Sequence, residues 1–583
     1  MNIVGVYDGH NCNAALVKNG HIIAAVEEER FSRIKNHDGR LTHLNCPFES
    51  VRFCLKQSNG KIDAIALGLD DPENLHKLSL LNFHKSISNG FVKRLKCKNI
   101  QGSPIKNKDM MLYPKITQNI RINKIMIFLE KAGISLNNIP IYYVNHHLAH
   151  ASSAYYSSNK EKALIITMDG KGDGLAGMVA FGENGSLRVL DEIDYIFSIG
   201  HLYSAVTIIC GFQAIRHESK ITGLAAYGKV KDDLIDKLNL LYSINDGKWF
   251  GKMNYDLPLA PYPHTMFNEN VKTIRAITKG HSHEDIAASV QFFTEEKVLE
   301  YIRYYVNRCD SKNLLLAGGL FANVKINQRV SQIPGVKFTY VHPAMTDAGI
   351  GVGAALYTFH KKTKKASNKY FFNNVFFGPE YSYKEIEHEI KVSGLSYERI
   401  ENIEEEISTI LANGNLVARF VGKLEYGPRA LGNRSILYHT TDKQVNIWLN
   451  KVLNRTEFMP FAPITLEEAW QDCYISNSDS SNYTAQFMTI TYHCTDLMKK
   501  QSPAVVHVDG TARPQLVSGS NNPGLHLILK RYYDLTGIPS LINTSFNVHE
   551  EPIVCSPTDA IRSFLYCEID FMQMGPFLIR RSK

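Results

Sequence analysis

The sequence predicts an α/β protein with at least two domains, and three observations lead to this fold class. The chain has 583 residues, which is more than one hydrophobic core usually supports. An arrangement of three strands occurs twice in its first half, and long helical patterns alternate with strands after residue 283. With 44% hydrophobic and 21% charged residues, the composition is that of a globular protein.

The repeated arrangement is a strand that ends at Asp-Gly, a second strand, an Asn-Gly turn and a third strand. The copies begin near residues 2 and 164, with turns at Asn19-Gly20 and Asn184-Gly185. Asn-Gly supplies the positive φ angles of a tight hairpin. Two copies about 160 residues apart indicate similar halves facing each other, with Asp8 and Asp169 at the mouth of a cleft. The alternative is two ordinary turns at strand ends.

The rest of the chain completes this division. Apolar residues at helical spacing over 283–309 predict a long helix, with Ser282 as its N-cap. The strand NLLLA follows, and then Gly318-Gly319, whose backbone N–H groups can bind a phosphate. The lysine-rich stretch HKKTKKASNK then predicts a boundary. We expect a first domain over 1–360, a linker over 361–375 and a second α/β domain over 376–583.

Charge and hydropathy exclude two classes of protein. The net charge of +8 is mild, and no basic face or nucleic-acid module is visible, so we expect no nucleic-acid partner. No run approaches the roughly 20 apolar residues that span a bilayer, and MNIVGVYDGH lacks the pattern of a signal peptide. A cytoplasmic protein without a membrane partner is the expectation, and the sequence leaves a homodimer open.

The segment VNHHLAHASSAY predicts a metal site. On a helix, His146 and His150 share one face and can reach one ion, whereas His147 points elsewhere. Two ligands rarely hold a metal, so carboxylates must complete the set, and Asp169 and Asp347 are the natural candidates. Two imidazoles with two carboxylates favour iron, manganese or zinc. The alternative is an incidental pair of histidines on a helix.

Two further groups of residues suggest chemistry. His10 follows Asp8 at the tip of the first hairpin, where a neutral imidazole can act as general base toward an alcohol. Arginine forks match phosphate oxygens, and several arginines of the second domain that converge would bind a polyphosphate. Scattered surface ion pairs are the alternative for these arginines, which are Arg429, Arg434, Arg455 and Arg513.

Ten motifs are spread over both domains. They are HNCNAAL…EEERFSR, HHLAHASSAY, MDGKGD, HESKITGLAAYG, LAGGLFANVKIN, TDAG, EYGPRALGNRS, PFAP, HVDGTARPQ and LINTSFNVHEEPIV. By these motifs and their order, the chain resembles the O-carbamoyltransferases of natural-product and nodulation-factor biosynthesis. The resemblance implies a duplicated actin-like ATPase (ribonuclease H-like) fold, similar to the tRNA threonylcarbamoyl transferases, followed by a YrdC-like α/β domain.

The resemblance also implies a reaction. The second domain would form carbamoyl adenylate from carbamoyl phosphate and ATP with Mg²⁺. The first domain would transfer the carbamoyl group to a hydroxyl of a small secondary metabolite at an Fe²⁺ site. His10 would be the base, and His146, His150, Asp169 and Asp347 the metal ligands. The adenylate would contact Asp169, Gly200, Gly319 and Asn323, and the donor site would comprise Arg429, Arg434, Arg455, Arg513, Asn543 and Ser545.

One segment departs from the family pattern. Where the family has KxRExFRPFAP, this chain has LNRTEFMPFAP, so that Leu453, Thr456 and Met459 replace a lysine, a glutamate and an arginine, while Arg455 remains. Three alternatives follow: a related transferase with a different activated acyl donor, a non-catalytic nucleotide-binding protein with a decayed donor site, and a sugar-kinase-like phosphotransferase, which would not need the two histidines.

Overall fold

A computed structural model describes residues 1–40, 47–71, 107–251, 271–363, 371–452, 461–476 and 481–581. The first part of the chain contains two five-stranded sheets with helices packed against them. The first sheet comprises β1 (Asn2–Tyr7), β2 (Asn13–Lys18), β3 (His21–Glu27), β4 (Ala64–Leu67) and β5 (Ile141–Tyr143). Its strand order is β3-β2-β1-β4-β5, in which β1, β2 and β3 pair antiparallel, whereas β4 and β5 continue the sheet in parallel.

The second sheet repeats this topology strand by strand. It comprises β6 (Lys162–Gly172), β7 (Leu175–Glu183), β8 (Ser186–Asp194), β11 (Asn313–Ala317) and β12 (Phe338–Val341), and the hairpin β9 (Tyr242–Asn245) and β10 (Lys248–Gly251) forms a separate small sheet. The order β12-β11-β6-β7-β8 has the same antiparallel and parallel pairs. The predicted duplication is therefore confirmed, as is the ribonuclease H-like fold class.

The two Asn-Gly turns are also confirmed, but the second Asp-Gly turn lies elsewhere. Asn19 and Asn184 have φ angles of 52° and 50°, as a tight hairpin requires. Asp169-Gly170 was predicted to end a strand, yet β6 continues through it to Gly172, with a shift of register after Met168. The hairpin turn falls at the next Asp-Gly instead, where Asp173 has a φ of 47°.

Besides a helical segment over 271–277, ten helices in the described residues of the first part surround and separate these sheets. They are Glu29–Ser32, Phe48–Gln57, Asn107–Lys131, His146–Tyr156, Ile199–Ile209, Glu218–Leu224, Asp232–Leu241, His283–Val306, Val324–Ser331 and Ile350–Thr363. Ser282 caps the long helix as predicted, because its side chain accepts a hydrogen bond from the backbone N–H of Asp285. None of the described helices is both long enough and apolar enough to cross a membrane.

The helices His146–Tyr156 and Ile350–Thr363 follow equivalent strands of the two halves and cross each other closely. The small residues of TDAGIGVGAAL make this crossing possible. A Cβ on Gly353 would lie 1.8 Å from the carbonyl oxygen of Ala149, and one on Gly351 would lie 2.5 Å from Oδ1 of Asn13. These glycines therefore serve helix packing, which brings the metal-site residues of both halves together.

The second part of the chain is built on an eight-stranded mixed sheet with the order β13-β23-β22-β14-β15-β21-β16-β20. Its strands are β13 (Tyr397–Arg399), β14 (Val417–Phe420), β15 (Arg434–Tyr438), β16 (Ala462–Leu466), β20 (Gln515–Val517), β21 (Ser540–Ser545), β22 (Phe571–Met574) and β23 (Phe577–Arg580). A small sheet comprises β17 (Tyr474–Ile475), β18 (Tyr492–Cys494) and β19 (Thr511–Ala512). The two sheets confirm an α/β domain here.

Eight helices in the described residues accompany these sheets. They are Tyr383–Ser393, Ile403–Ala412, Val445–Val452, Trp470–Cys473, Ser481–Ala485, Asp496–Gln501, Pro523–Thr536 and Pro557–Tyr566. The loop between β14 and β15 contacts the first part directly, since the hydroxyl of Tyr426 donates to the carbonyl oxygen of Ala348 over 3.3 Å. Residues 364–370, within the proposed linker, lie outside the described residues.

Candidate metal centre and arginine pocket

Four side chains predicted as metal ligands lie together between the two halves. One ligand atom from each of His146, His150, Asp169 and Asp347 can be chosen so that all four atoms lie within 4.8 Å of one another. Nε2 of His150 is 3.3 Å from Oδ2 of Asp169, and Nε2 of His146 is 3.5 Å from Oδ1 of Asp347. Residues far apart in sequence thus form one compact set of ligands.

The histidines owe their orientation to the start of their helix. The side chain of Asn145 caps this helix by accepting the backbone N–H groups of His147 and Leu148. His146 and His150 then lie four positions apart on one face. His147 points away as predicted, because its ring contacts Oγ1 of Thr167 at 2.9 Å.

Each carboxylate has one oxygen engaged elsewhere and a second that faces the histidines. Asp169 lies on β6, where its Oδ1 accepts the backbone N–H of Gly170 over 2.6 Å. Asp347 begins a short turn of 3₁₀ helix, and its Oδ2 accepts the hydroxyl of Tyr7 over 2.8 Å. The sequence offered no signal for Tyr7. Such second contacts fix the direction of a ligand oxygen.

Glycines make room for this cluster. A Cβ on Gly172 would lie 2.0 Å from Cδ2 of His146, and a Cβ on Gly319 would lie 2.9 Å from Oδ1 of Asp169. Gly200 lies against the same strand, with its hypothetical Cβ 3.1 Å from the backbone nitrogen of Gly170. The two glycines predicted to contact a bound adenylate therefore both lie beside Asp169.

The electrostatics of the cluster suit a cation. Nε2 of both histidines and Oδ2 of Asp169 are buried and lack a partner in hydrogen-bond geometry within the described structure. Although burial opposes it, contact with the two carboxylates raises the pKa of His150 to about 9. Despite its own burial, Asp169 has a pKa well below its usual range, because both histidines face it. Buried polar atoms left unpaired are costly, and a divalent metal would satisfy all of them.

His10 lies in the loop between β1 and β2. The strand residues on either side of the loop both contact Asp347, through the hydroxyl of Tyr7 and through Nδ2 of Asn13, which donates to the backbone oxygen of Asp347 over 2.9 Å. Nε2 of His10 is buried and, in the part of the chain that is described, has no hydrogen-bond partner. Asp8 is engaged by Arg121 through Nε at 2.9 Å and 3.0 Å.

Asn323 occupies a structural position at the start of a helix. Its Oδ1 accepts the backbone N–H groups of Lys325 and Ile326, which caps the helix Val324–Ser331. Its Nδ2 donates to Oε1 of Gln291 over 2.8 Å. Both polar ends of the predicted adenylate contact are therefore engaged within the protein.

In the second part, Arg429 and Arg513 lie near enough to each other for their charges to interact. The Nε atoms of both arginines are buried and lack a hydrogen-bond partner in the described residues. Burial lowers the pKa of Arg429 to about 10, and burial together with the nearby charge of Arg429 lowers the pKa of Arg513 well below its usual range. Two desolvated like charges repel, so an anion between them would stabilise both.

Asn543 and Ser545 lie on β21, beside the loop that contains Arg429. Nδ2 of Asn543 donates to the carbonyl oxygen of Ala430 over 3.0 Å, and its Oδ1 is buried without a partner in the described chain. The hydroxyl of Ser545 donates to Oδ1 of Asn547 over 2.8 Å. Asn543 thus supports the arginine loop directly.

The guanidinium of Arg434 is buried against backbone carbonyls. Its Nη1 donates to Val421 over 2.6 Å, its Nη2 donates to Gly422 over 3.0 Å, and its Cζ lies 3.8 Å from the centre of the Phe420 ring. These contacts hold the arginine loop, and Nε of Arg434 is buried without a hydrogen-bond partner in the described residues. Arg455 lies outside the described residues, as do the substituted positions Leu453, Thr456 and Met459.

Comparison with known families assigns the chain to a class of enzyme. Residues 2–356 match the family described as "Carbamoyltransferase N-terminus", and residues 408–581 match "Carbamoyltransferase C-terminus". The chain therefore belongs to the carbamoyltransferase family, and the resemblance stated from the motifs is confirmed.

Several relatives match over most of their length. An uncharacterised protein of Methanocaldococcus jannaschii is 30% identical over 596 residues and covers 100% of both chains. An uncharacterised protein of Synechocystis is 31% identical, over 98% of this chain and 95% of its own. Nodulation protein NolNO of Sinorhizobium fredii is 30% identical, over 98% of this chain and 79% of its own.

Proposed function

We propose that the protein is an ATP- and metal-dependent O-carbamoyltransferase with a small-molecule hydroxyl acceptor. Water would first hydrolyse carbamoyl phosphate to carbamate and phosphate. The carbamate oxygen would then attack the α-phosphate of ATP at the arginine pair, which forms carbamoyl adenylate and releases pyrophosphate. The carbamoyl group would then pass to the acceptor beside the two histidines. The convergence of four predicted ligands with their unpaired buried atoms is the observation that most supports this proposal.

The arginine pair suits formation of the adenylate. Arg429 and Arg513 can bind phosphate oxygens of the donor or of ATP, since each presents a buried, unengaged Nε–H and a planar fork of donors. Carbamate is a poor electrophile, and adenylation gives it a good leaving group. Nucleotide binding would bring Mg²⁺ with ATP. The adenylate is thus the activated form that the transfer step requires.

The transfer step uses residues of the first part. The acceptor oxygen attacks the carbamoyl carbon, a carbon–oxygen bond forms to the acceptor, and the bond to AMP breaks. Nε2 of His10, buried and unpaired, would take the hydroxyl proton. A divalent transition metal held by His146, His150, Asp169 and Asp347, for which we favour Fe²⁺, would polarise the carbonyl oxygen as charge develops on it.

The proposal is tested by reconstitution of the reaction. Full-length protein is incubated with Fe²⁺, ATP, Mg²⁺, carbamoyl phosphate and a library of alcohols, and pyrophosphate and carbamoylated products are measured. We expect pyrophosphate release that requires carbamoyl phosphate. Release with another acyl phosphate alone would favour a different donor, and nucleotide binding without turnover would favour a non-catalytic protein. Full phosphotransfer after chelation of transition metals would favour a kinase.

A further inference from the structure

The two arginines of the second part are carried on loops that the first part holds in place. Arg429 follows Gly427 on the loop between β14 and β15, and Arg513 follows Asp509 just beyond β19. The first part contacts Gly427, two positions before Arg429, and Asp509, four positions before Arg513. The holding side chains come from residues 1–363.

Glu27 and Arg30 hold the first loop. Oε1 of Glu27 accepts the backbone N–H of Gly427 over 2.8 Å, and Nη2 of Arg30 donates to the carbonyl oxygen of Gly427 over 2.8 Å. Both side chains are buried, with 1% and 2% exposure, and their charges lie 3.5 Å apart. Gly427 has a φ of 104°, so the backbone bends here in a conformation that favours glycine.

Lys325 holds the second loop. Its Nζ lies 2.8 Å from Oδ2 of Asp509, whose other oxygen accepts the backbone N–H and the hydroxyl of Thr511 over 3.0 Å and 2.6 Å. Although burial opposes it, contacts with His507 and Lys325 hold the pKa of Asp509 well below its usual range. One carboxylate thus joins the first part to the turn before Arg513.

The anchors from the first part oppose the repulsion between the arginines, together with the contacts that Asn543 and Arg434 make in the second part. Arg429 and Arg513 are desolvated like charges, and their loops would relax apart unless other contacts opposed them. The Glu27–Arg30 pair fixes one loop, and Lys325 fixes the other. Lys325 lies two residues after Asn323, whose side chain caps the helix Val324–Ser331 that contains Lys325. Asn323 is also one of the residues predicted to contact the nucleotide in the first part.

We infer that Lys325 and Arg30 are positioning residues for the arginine pair, so that the anion pocket of the second part is completed by the first part. The identity of the substrate anion rests on the proposed function, whereas the anchoring rests on the contacts alone. The proposed active site of the second part would then depend on residues of the first part for its shape. Loss of an anchor should weaken anion binding without direct contact between anchor and anion.

The test uses full-length Lys325→Met with inorganic pyrophosphate as the probe. We expect pyrophosphate to bind about three- to fivefold more weakly by calorimetry, which is the size of effect that a partly exposed ion pair has. In the reaction, KM for carbamoyl phosphate should rise by a similar factor while kcat changes less. The conservative variant Lys325→Arg, which keeps a positive charge opposite Asp509, should retain most of the affinity. Lys162→Met is the matched control. Nζ of Lys162 lies 2.7 Å from Oδ2 of Asp310, and this pair is away from the arginine loops.

Two results would overturn the inference. The first is a Lys325→Met protein with a lowered Tm but a pyrophosphate affinity within twofold of wild type, which would make the ion pair merely structural. The second is a Lys325→Arg protein that binds pyrophosphate as weakly as Lys325→Met although its Tm equals that of wild type. Wild-type protein that binds pyrophosphate but forms no carbamoylated product would refute the proposed function alone and leave the anchoring measurable.

Discussion

Oδ2 of Asp347 accepts the hydroxyl of Tyr7 over 2.8 Å, which leaves Oδ1 of the same carboxylate 3.5 Å from Nε2 of His146. This contact joins the first strand of one half to the metal-site loop of the other half. Tyr7 therefore orients the metal ligand Asp347 without being a ligand itself. Loss of such an outer contact usually lowers metal affinity about 10- to 100-fold.

Tyr7→Phe should show this effect on metal binding. The variant removes only the hydroxyl, so we expect Fe²⁺ or Zn²⁺ affinity to fall about 10- to 100-fold, as measured by competition with a chromogenic chelator. His150→Ala removes a ligand and should abolish the site. His147→Asn is the control, because His147 contacts Thr167 instead: we expect a lowered Tm with one ion still bound. Unchanged affinity in Tyr7→Phe would contradict the outer-contact role.

Gly172→Ala should distort the metal site through its shape alone. A Cβ at this position would lie 2.0 Å from Cδ2 of His146, so the imidazole must move. We expect bound metal, measured by elemental analysis, to fall at least fivefold while the circular dichroism spectrum of the fold persists. Gly519→Ala is the control, since its Cβ would meet only His526 at an ordinary 3.7 Å. Full metal content in Gly172→Ala would mean that His146 is not a ligand.

Relative to wild type, Arg513→Met should have an equal or higher Tm without an anion and a lower Tm with one. In the absence of an anion the substitution removes repulsion from Arg429 and the cost of a buried charge, so Tm should stay equal or rise. In saturating pyrophosphate, wild type should gain several degrees and the variant much less. Arg531→Met, which removes an exposed arginine paired with Glu405, serves as the control. Equal shifts in wild type and Arg513→Met would exclude this pair as the anion site.

Glu28 should give the protein a component of stability that decreases as pH rises. Burial is the main cause that raises its pKa from 4.5 to about 7, although Ser50 and Glu49 donate hydrogen bonds to it. Because the folded-state pKa is raised, this contribution is fully present below about pH 4.5 and is lost as pH rises through 7. Wild-type Tm should therefore fall relative to Glu28→Gln between pH 5 and about 8. A constant difference in Tm across this interval would contradict the assignment.

Local signals predicted much of the fold and half of the metal site. Helical spacing put His146 and His150 on one face, and Asn-Gly pairs marked both hairpin turns, because both effects depend only on backbone conformation over a few residues. The same local reasoning failed at Asp169-Gly170. Two Asp-Gly pairs lie close together there, and strand pairing with β7 selects the later one as the turn.

Composition and motifs did not predict which contacts each arginine of the second part would make. Arg429, Arg434 and Arg513 look alike in the sequence, each beside small or polar residues. In the structure Arg434 donates through Nη1 and Nη2 to backbone carbonyls beside the Phe420 ring, whereas Arg513 lies within reach of the charge of Arg429, which lowers its pKa. Which neighbour a side chain meets depends on sheet order, and sheet order was not predictable from spacing.

By itself the sequence determined the duplicated strand pattern, the family and the paired histidines, since turn angles, helical period and motif order are all written along the chain. Only the tertiary structure decided that Asp169 and Asp347 meet those histidines, and that Lys325 reaches Asp509. The contacts of Asp347 and of Lys325 join residues more than a hundred positions apart, and Asp169 reaches the histidines from the next strand along the chain. These contacts form because two sheets and two crossing helices pack in one register.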